Sequence, residues 1–84
     1  MIRYTVVWHA DAQNQLAQIW IDTTDKNAVT QAAHRIDSHL STDAHTKGVP
    51  IPDDLRKLVV APLRVLFAVS EADRLVKVVD VSTV

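Results

Sequence analysis

The sequence predicts an α+β domain of order β-α-α-β-β-β, an antiparallel sheet with a two-helix hairpin packed on one face. Three observations carry that prediction. Ile2, Tyr4, Val6 and Trp8 alternate with Arg3, Thr5, Val7 and His9, the period of two of a strand with one buried face. From Ala10 the period becomes helical, with Ala12, Leu16, Ile19 and Trp20 on one stripe and Val29, Ala32, Ala33, Ile36 and Leu40 on a second. The chain then closes on runs rich in β-branched residues, from Leu55 to Val60, Pro62 to Val69 and Asp73 to Val81, which read as consecutive strands.

The first helix extends to about Asp22. Thr23, Thr24 and Asp25 then supply turn and N-cap side chains for the second, and so short a link makes the two an antiparallel hairpin. Residues 41 to 54 hold the only glycine, Gly48, and two of the three prolines, with no sustained period, and are expected to be a loop. Two helices beside strands joined by short turns give one helical layer on one sheet.

Hairpin parity divides the strands into faces, because residues opposite one another in an antiparallel pair point the same way. With Ser70 to Asp73 as the loop, Val65 faces Val78 and Phe67 faces Val76 on the core side. A tight turn at Ala61-Pro62 adds Leu58 and Val60 to that side. The reverse face then carries Lys57, Val59, Arg64, Leu66, Ala68, Leu75, Lys77 and Val79, with Arg3 and His9 joining from the first strand. The sequence thus predicts an uncovered sheet surface in which Arg3, Lys57, Arg64 and Lys77 stand among aliphatic side chains. Lys57 and Lys77 also suit the protection of a sheet against edge pairing.

Composition narrows the function. At 84 residues the chain is one domain, residues 1–84, of a size that buries about 60 to 65% of its unfolded surface. It has no cysteine, hence no disulfide and no thiolate nucleophile or ligand. His34 and His39 are five apart on the second helix and diverge, so no metal site is expected, and no glycine-rich phosphate loop or other cofactor motif is present. With no apolar stretch near the roughly 20 residues of a membrane span and no signal-peptide pattern, the expectation is a soluble cytoplasmic protein without membrane contact. The formal net charge is -1, giving no long-range attraction for nucleic acid. Residues 1 to 40 hold three basic groups against four acids, and residues 41 to 84 hold six against six, so a basic site must come from local clustering.

The strand order, Ala12 followed by Leu16, and the run Leu63-Arg64-Val65-Leu66-Phe67 with Arg74 to Val81 resemble the RelE/ParE superfamily of bacterial toxins, which includes plasmid stabilisation proteins. The likeness covers nearly the whole chain, and Leu63 stands where the family pattern has tyrosine. It implies the toxin half of a type II toxin-antitoxin module, neutralised by a cognate antitoxin. Its target would be translation, through cleavage of messenger RNA on the ribosome, or DNA gyrase. The alternative is a catalytically inactive interaction module. A second copy of the chain is a further candidate partner.

Arg64 matches the third-strand arginine that contacts RNA phosphate in RelE-like enzymes, and Lys57 falls near a second-strand lysine used there. The resemblance therefore makes Arg64 and Lys57 the candidate catalytic residues. It also makes Arg3, Lys57, Arg64 and Lys77 candidates for RNA or target binding. Leu66, Leu75 and Val79, aliphatic on the open face, are the candidate partner-binding residues. RelE-like enzymes also use arginine, tyrosine or histidine after the last strand, where this sequence has Ser82-Thr83-Val84. Metal-free RNA cleavage needs a base, an acid and cations. The face supplies cations, and His9 at its edge is the nearest candidate base. A poor or inactive ribonuclease is expected.

Overall fold

The computed structural model describes all residues, Met1–Val84. Strand β1 (Thr5–Trp8) leads into helices α1 (Ala10–Asp22) and α2 (Lys26–Leu40); a 3-10 turn (Ala44–Thr46) precedes strands β2 (Val49–Ile51), β3 (Leu55–Val60), β4 (Leu63–Ser70) and β5 (Leu75–Thr83). The sheet order is β1-β5-β4-β3-β2. The α+β class stands, with two changes of detail. Val49–Ile51, expected in a loop, forms a short edge strand on β3. The sheet is mixed, because β1 runs parallel to β5. Hairpins force β2 to β5 to alternate, whereas β1 has no hairpin to set its direction and lies along β5 in the same sense.

Each helix end is made by local chemistry. The His9 ring accepts the Asp11 N–H at 3.2 Å as the N-cap of α1, and Asp25 accepts the Ala28 N–H at 3.0 Å as the N-cap of α2. Between them Lys26 donates to the carbonyls of Trp20 at 2.8 Å and Ile21 at 3.2 Å, closing the end of α1, and its ammonium lies 4.5 Å from the Trp20 ring centroid. Trp20, expected in the core, is 43% exposed because it covers this junction instead.

The core lies between the helices and one face of the sheet. Val29, Ala32, Ile36 and Leu40 of α2 and Ala12 of α1 pack with Tyr4, Leu63, Val65, Phe67, Val76, Val78 and Val81. Leu58 and Val60 pack against this cluster as parity requires. Between the turn and Phe67 the β4–β5 register differs from expectation by two residues, the loop being Glu71–Arg74 and Phe67 lying opposite Val78; beyond Phe67, Val65 lies opposite Val81, three residues from its expected partner. A shift of two preserves faces, so Val65, Phe67, Val76 and Val78 are all fully buried. The register breaks between Leu66 and Phe67, leaving Val79 as the extra residue of a β-bulge. Because of the bulge Val81 returns to the core side.

Past the end of β1 the outer edge of β5 would be bare. Gln15 of α1 closes it: its side-chain oxygen accepts the Val81 N–H at 2.8 Å, and its amide nitrogen donates to Asp80 at 3.0 Å.

Candidate functional site: the open sheet face

The face away from the helices is laid out by register. Arg64 stands between Val59 of β3 and Ser82 of β5 and donates to the Ser82 hydroxyl at 3.2 Å. Lys57 stands between Val49 and Leu66, and Leu66 lies opposite Asp80. Lys57 and Arg64 are therefore diagonal neighbours on adjacent strands. The chain's ion pairs are His9–Asp11 at 3.8 Å and Arg74–Glu71 at 2.9 Å, so neither Lys57 nor Arg64 has a carboxylate within 4.0 Å. Two unpaired cations side by side on an uncovered sheet suit an anionic ligand.

The other predicted cations do not join them. Lys77 pairs in register with Ala68 and Val7, four residues along β4 from Arg64, roughly 13 Å away at strand rise. Arg3 precedes β1 and forms an isolated bridge with Thr42, still farther along the sheet. His9 is absent from the face as a base, being the cap of α1.

The three predicted partner-binding residues do not form one patch. Leu66 is half-buried between Lys57 and Asp80, Leu75 lies at the opposite end of β5 beside Thr5 and Ser70, and Val79 is the bulged residue. The strongly exposed aliphatic residues near Lys57 and Arg64 are Val49 and Val59, at 59% and 50%.

The structure also assembles polar groups that sequence reasoning missed. Asp80 is the one carboxylate on the open face near Lys57 and Arg64, and the Gln15 amide holds it. At the far end of the sheet the Tyr4 hydroxyl donates to Glu71 at 2.8 Å and meets His45 Nδ1 at 3.0 Å, while Arg74 bonds Glu71 at 2.9 Å. With the phenol's one proton directed to Glu71, that 3.0 Å contact requires a hydrogen on Nδ1 of His45. Burial, and then the Glu71 carboxylate, push the Tyr4 phenol above its ordinary pKa, with Arg74 opposing. These four residues come from three separate segments, and no local spacing announces them.

Two concavities lie away from this face. A groove of about 760 Å³ runs between the helices, floored by Trp8 and Val29 and walled by Leu16, Trp20 and Ala33. The Trp8 indole donates to Asp37 at its rim, 3.4 Å away. A second cleft, of about 450 Å³, separates the end of α2 from β3. No helix is long and apolar enough to cross a membrane.

This architecture has solved counterparts. A chain of the toxin-antitoxin complex RelBE2 from Mycobacterium tuberculosis superposes with a TM-score of 0.82 at 16% identity, over 100% of this chain and 94% of that one. The fold is that of RelE/ParE-like toxins. A chain of the chromosomal ParDE system of P. aeruginosa superposes at 0.69 and 15% identity, covering 100% and 99% of the two chains. For the intact E. coli RelBE complex the values are 0.56 and 15%, with 96% of each chain covered. No protein-family model and no curated protein matches the sequence. Arg64 lies on β4, on the open face, with Lys57 its diagonal neighbour on β3.

Proposed function

We propose that this chain is the toxin-family component of a type II toxin-antitoxin module, that a cognate antitoxin neutralises it, and that it engages its target by binding through Lys57 and Arg64. The observation that carries this reading is the unpaired Lys57–Arg64 couple on the uncovered face of a RelE/ParE-like fold. The likeness to chains of toxin-antitoxin complexes supports an antitoxin partner. Ribosome-bound messenger and DNA gyrase are the two candidate targets.

Binding is favoured over bond cleavage by the groups on the face. Transphosphorylation of RNA needs a proton acceptor for the 2′-hydroxyl and a donor for the departing 5′-oxygen. Beside Lys57 and Arg64 stand Val49, Val59, Leu66 and Ser82, and the single carboxylate, Asp80, is already bonded by Gln15. Cations can stabilise the charge that develops on phosphorus, but they do not supply the two proton transfers.

The test is induction of the chain in bacterial cells, with protein synthesis and DNA replication followed separately. One of the two is expected to stop, and the Lys57→Ala/Arg64→Ala double variant to relieve the arrest. Growth unaffected by the wild-type chain would support the inactive interaction module instead. Cleavage of messenger on programmed ribosomes at the rate of an active RelE-like enzyme would overturn the binding-only reading.

A further inference from the structure

We propose that the groove between α1 and α2 is a binding site for a small arylalkyl-ammonium ion, an aromatic ring that carries a primary amine on a short chain. The groove encloses about 760 Å³, a volume typical of small-molecule sites. Its body is apolar, with Leu16, Val29 and Ala33 lining it beside the indoles of Trp8 and Trp20. Along α2 it runs from Val29 to Asp37, about 12 Å at helical rise. The polar groups gather at one end, where Gln13 and Asp37 meet Trp8. A ring along the apolar walls with its polar head at that end fits this layout.

The charge of the head follows from the lining. Asp37 is its only carboxylate, and no lysine or arginine stands there. Since the chain's ion pairs are His9–Asp11 and Arg74–Glu71, Asp37 has no cation within 4.0 Å. It also stands in the last turn of α2, where the helix dipole disfavours negative charge, so the helix itself gains nothing from it. Trp8 orients both acceptors: its indole donates to Asp37 Oδ1 at 3.4 Å, and its carbonyl accepts the Gln13 amide at 3.0 Å. Asp37 Oδ2 and the Gln13 amide oxygen are left without donors. An ammonium brings three donors and no acceptor, which matches them, whereas a carboxylate or phosphate would face Asp37 as a like charge. Indole faces also attract cations, and the Lys26 ammonium, 4.5 Å from the Trp20 ring centroid, is an instance within this hairpin. The groove lies on the helical side, away from Lys57 and Arg64, so the inference depends on no choice of cellular target.

Titration of the isotopically labelled chain with phenylbutylamine and with phenylvalerate, which share a ring and a chain but carry opposite charges, tests it. At about pH 8 imidazole is neutral and the amine charged, so His34 of the lining adds no charge of its own. Saturable amide shifts centred on Leu16–Ile21 and Val29–Asp37 are expected at millimolar amine or below, with a matching change in indole fluorescence. The amine is expected to bind at least about tenfold more tightly than phenylvalerate. Asp37→Asn, which keeps an acceptor for the Trp8 indole, is expected to lose about tenfold in affinity for the amine. Its melting temperature should not fall, because the change removes an exposed acid from the last turn of a helix. Absence of saturable amine binding at millimolar concentration, equal binding of the two probes, or an Asp37→Asn variant that binds the amine as the wild type does would overturn the proposal. So would shifts centred on Lys57 and Arg64, or a dimer that buries Leu16 and Trp20. None of these outcomes touches the toxin-family reading, which is decided by the cellular arrest.

Discussion

The Tyr4 phenol gives its proton to Glu71, 67 positions away, at 2.8 Å. This bond joins the start of the sheet to the β4–β5 turn, and His45 adds the segment before β2. Because the folded phenol titrates above its unfolded value, the folded state holds that proton more tightly. Its contribution is complete below the ordinary tyrosine pKa of 10.0 and is lost as pH rises through the higher folded value. Tyr4→Phe is therefore expected to flatten the alkaline limb of stability against pH, measured by urea unfolding. A cycle with Glu71→Gln is expected to show non-additive losses; strictly additive losses would deny the coupling.

Asp43 sets the acid limb. Its side chain accepts the Ile2 N–H at 2.9 Å, and that bond holds the carboxyl below its ordinary value of 3.8. Folded stability gained from this group is present above pH 3.8 and lost as pH falls through the lower folded value. Asp43→Asn is expected to be less stable near neutrality and less steeply weakened by acid, as followed by circular dichroism.

Gly48→Ala is expected to cost at least about 1–3 kcal/mol from the positive φ alone. The added methyl also meets the Lys57 carbonyl oxygen, a backbone atom that cannot move aside without disturbing β3. Amide exchange should quicken first in Val49–Ile51, and an unchanged exchange pattern would show that the turn relaxes freely.

Gln15→Ala leaves the Val81 N–H without its partner and frees Asp80. A loss of about 1–2 kcal/mol in denaturant unfolding is expected. In the core, Phe67→Ala removes a fully buried ring and is expected to cost about 3–5 kcal/mol, enough to threaten folding in a domain of this size.

Arg64→Ala should separate function from stability. The side chain is exposed and bonds only the Ser82 hydroxyl, so unfolding free energy should change by less than about 0.5 kcal/mol. Loss of the cellular effect with an unchanged melt would place Arg64 in target binding; a retained effect would remove it.

Much of this was legible in the residues. Period two in Ile2 to Trp8 and period 3.6 in the two helical stripes specify elements through burial alone, and parity sorted Val65, Phe67, Val76 and Val78 into the core without knowledge of the true loop. What escaped depends on non-local partners. The bulge at Val79 has no signal of its own, since it exists where the Gln15 side chain takes the Val81 N–H. The parallel direction of β1 is set by packing on β5 rather than by any turn. Within the site, Lys57 and Arg64 follow from the hairpin at Ala61-Pro62, a local feature. The dispersal of Arg3, Lys77, Leu66 and Leu75 follows from where along each strand they stand, which parity does not report.

β5 is the final strand along the chain, yet it stands in the interior of the sheet between β1 and β4. During synthesis, β1 has no strand to lie against until residues as far as Val78 have left the ribosome, and Val76, Val78 and Val81 are missing from beneath the helices. β1 and β4 therefore come into one sheet only through β5. The register that sets Arg64 opposite Ser82, and with it the layout of the open face, is completed only by the last strand along the chain.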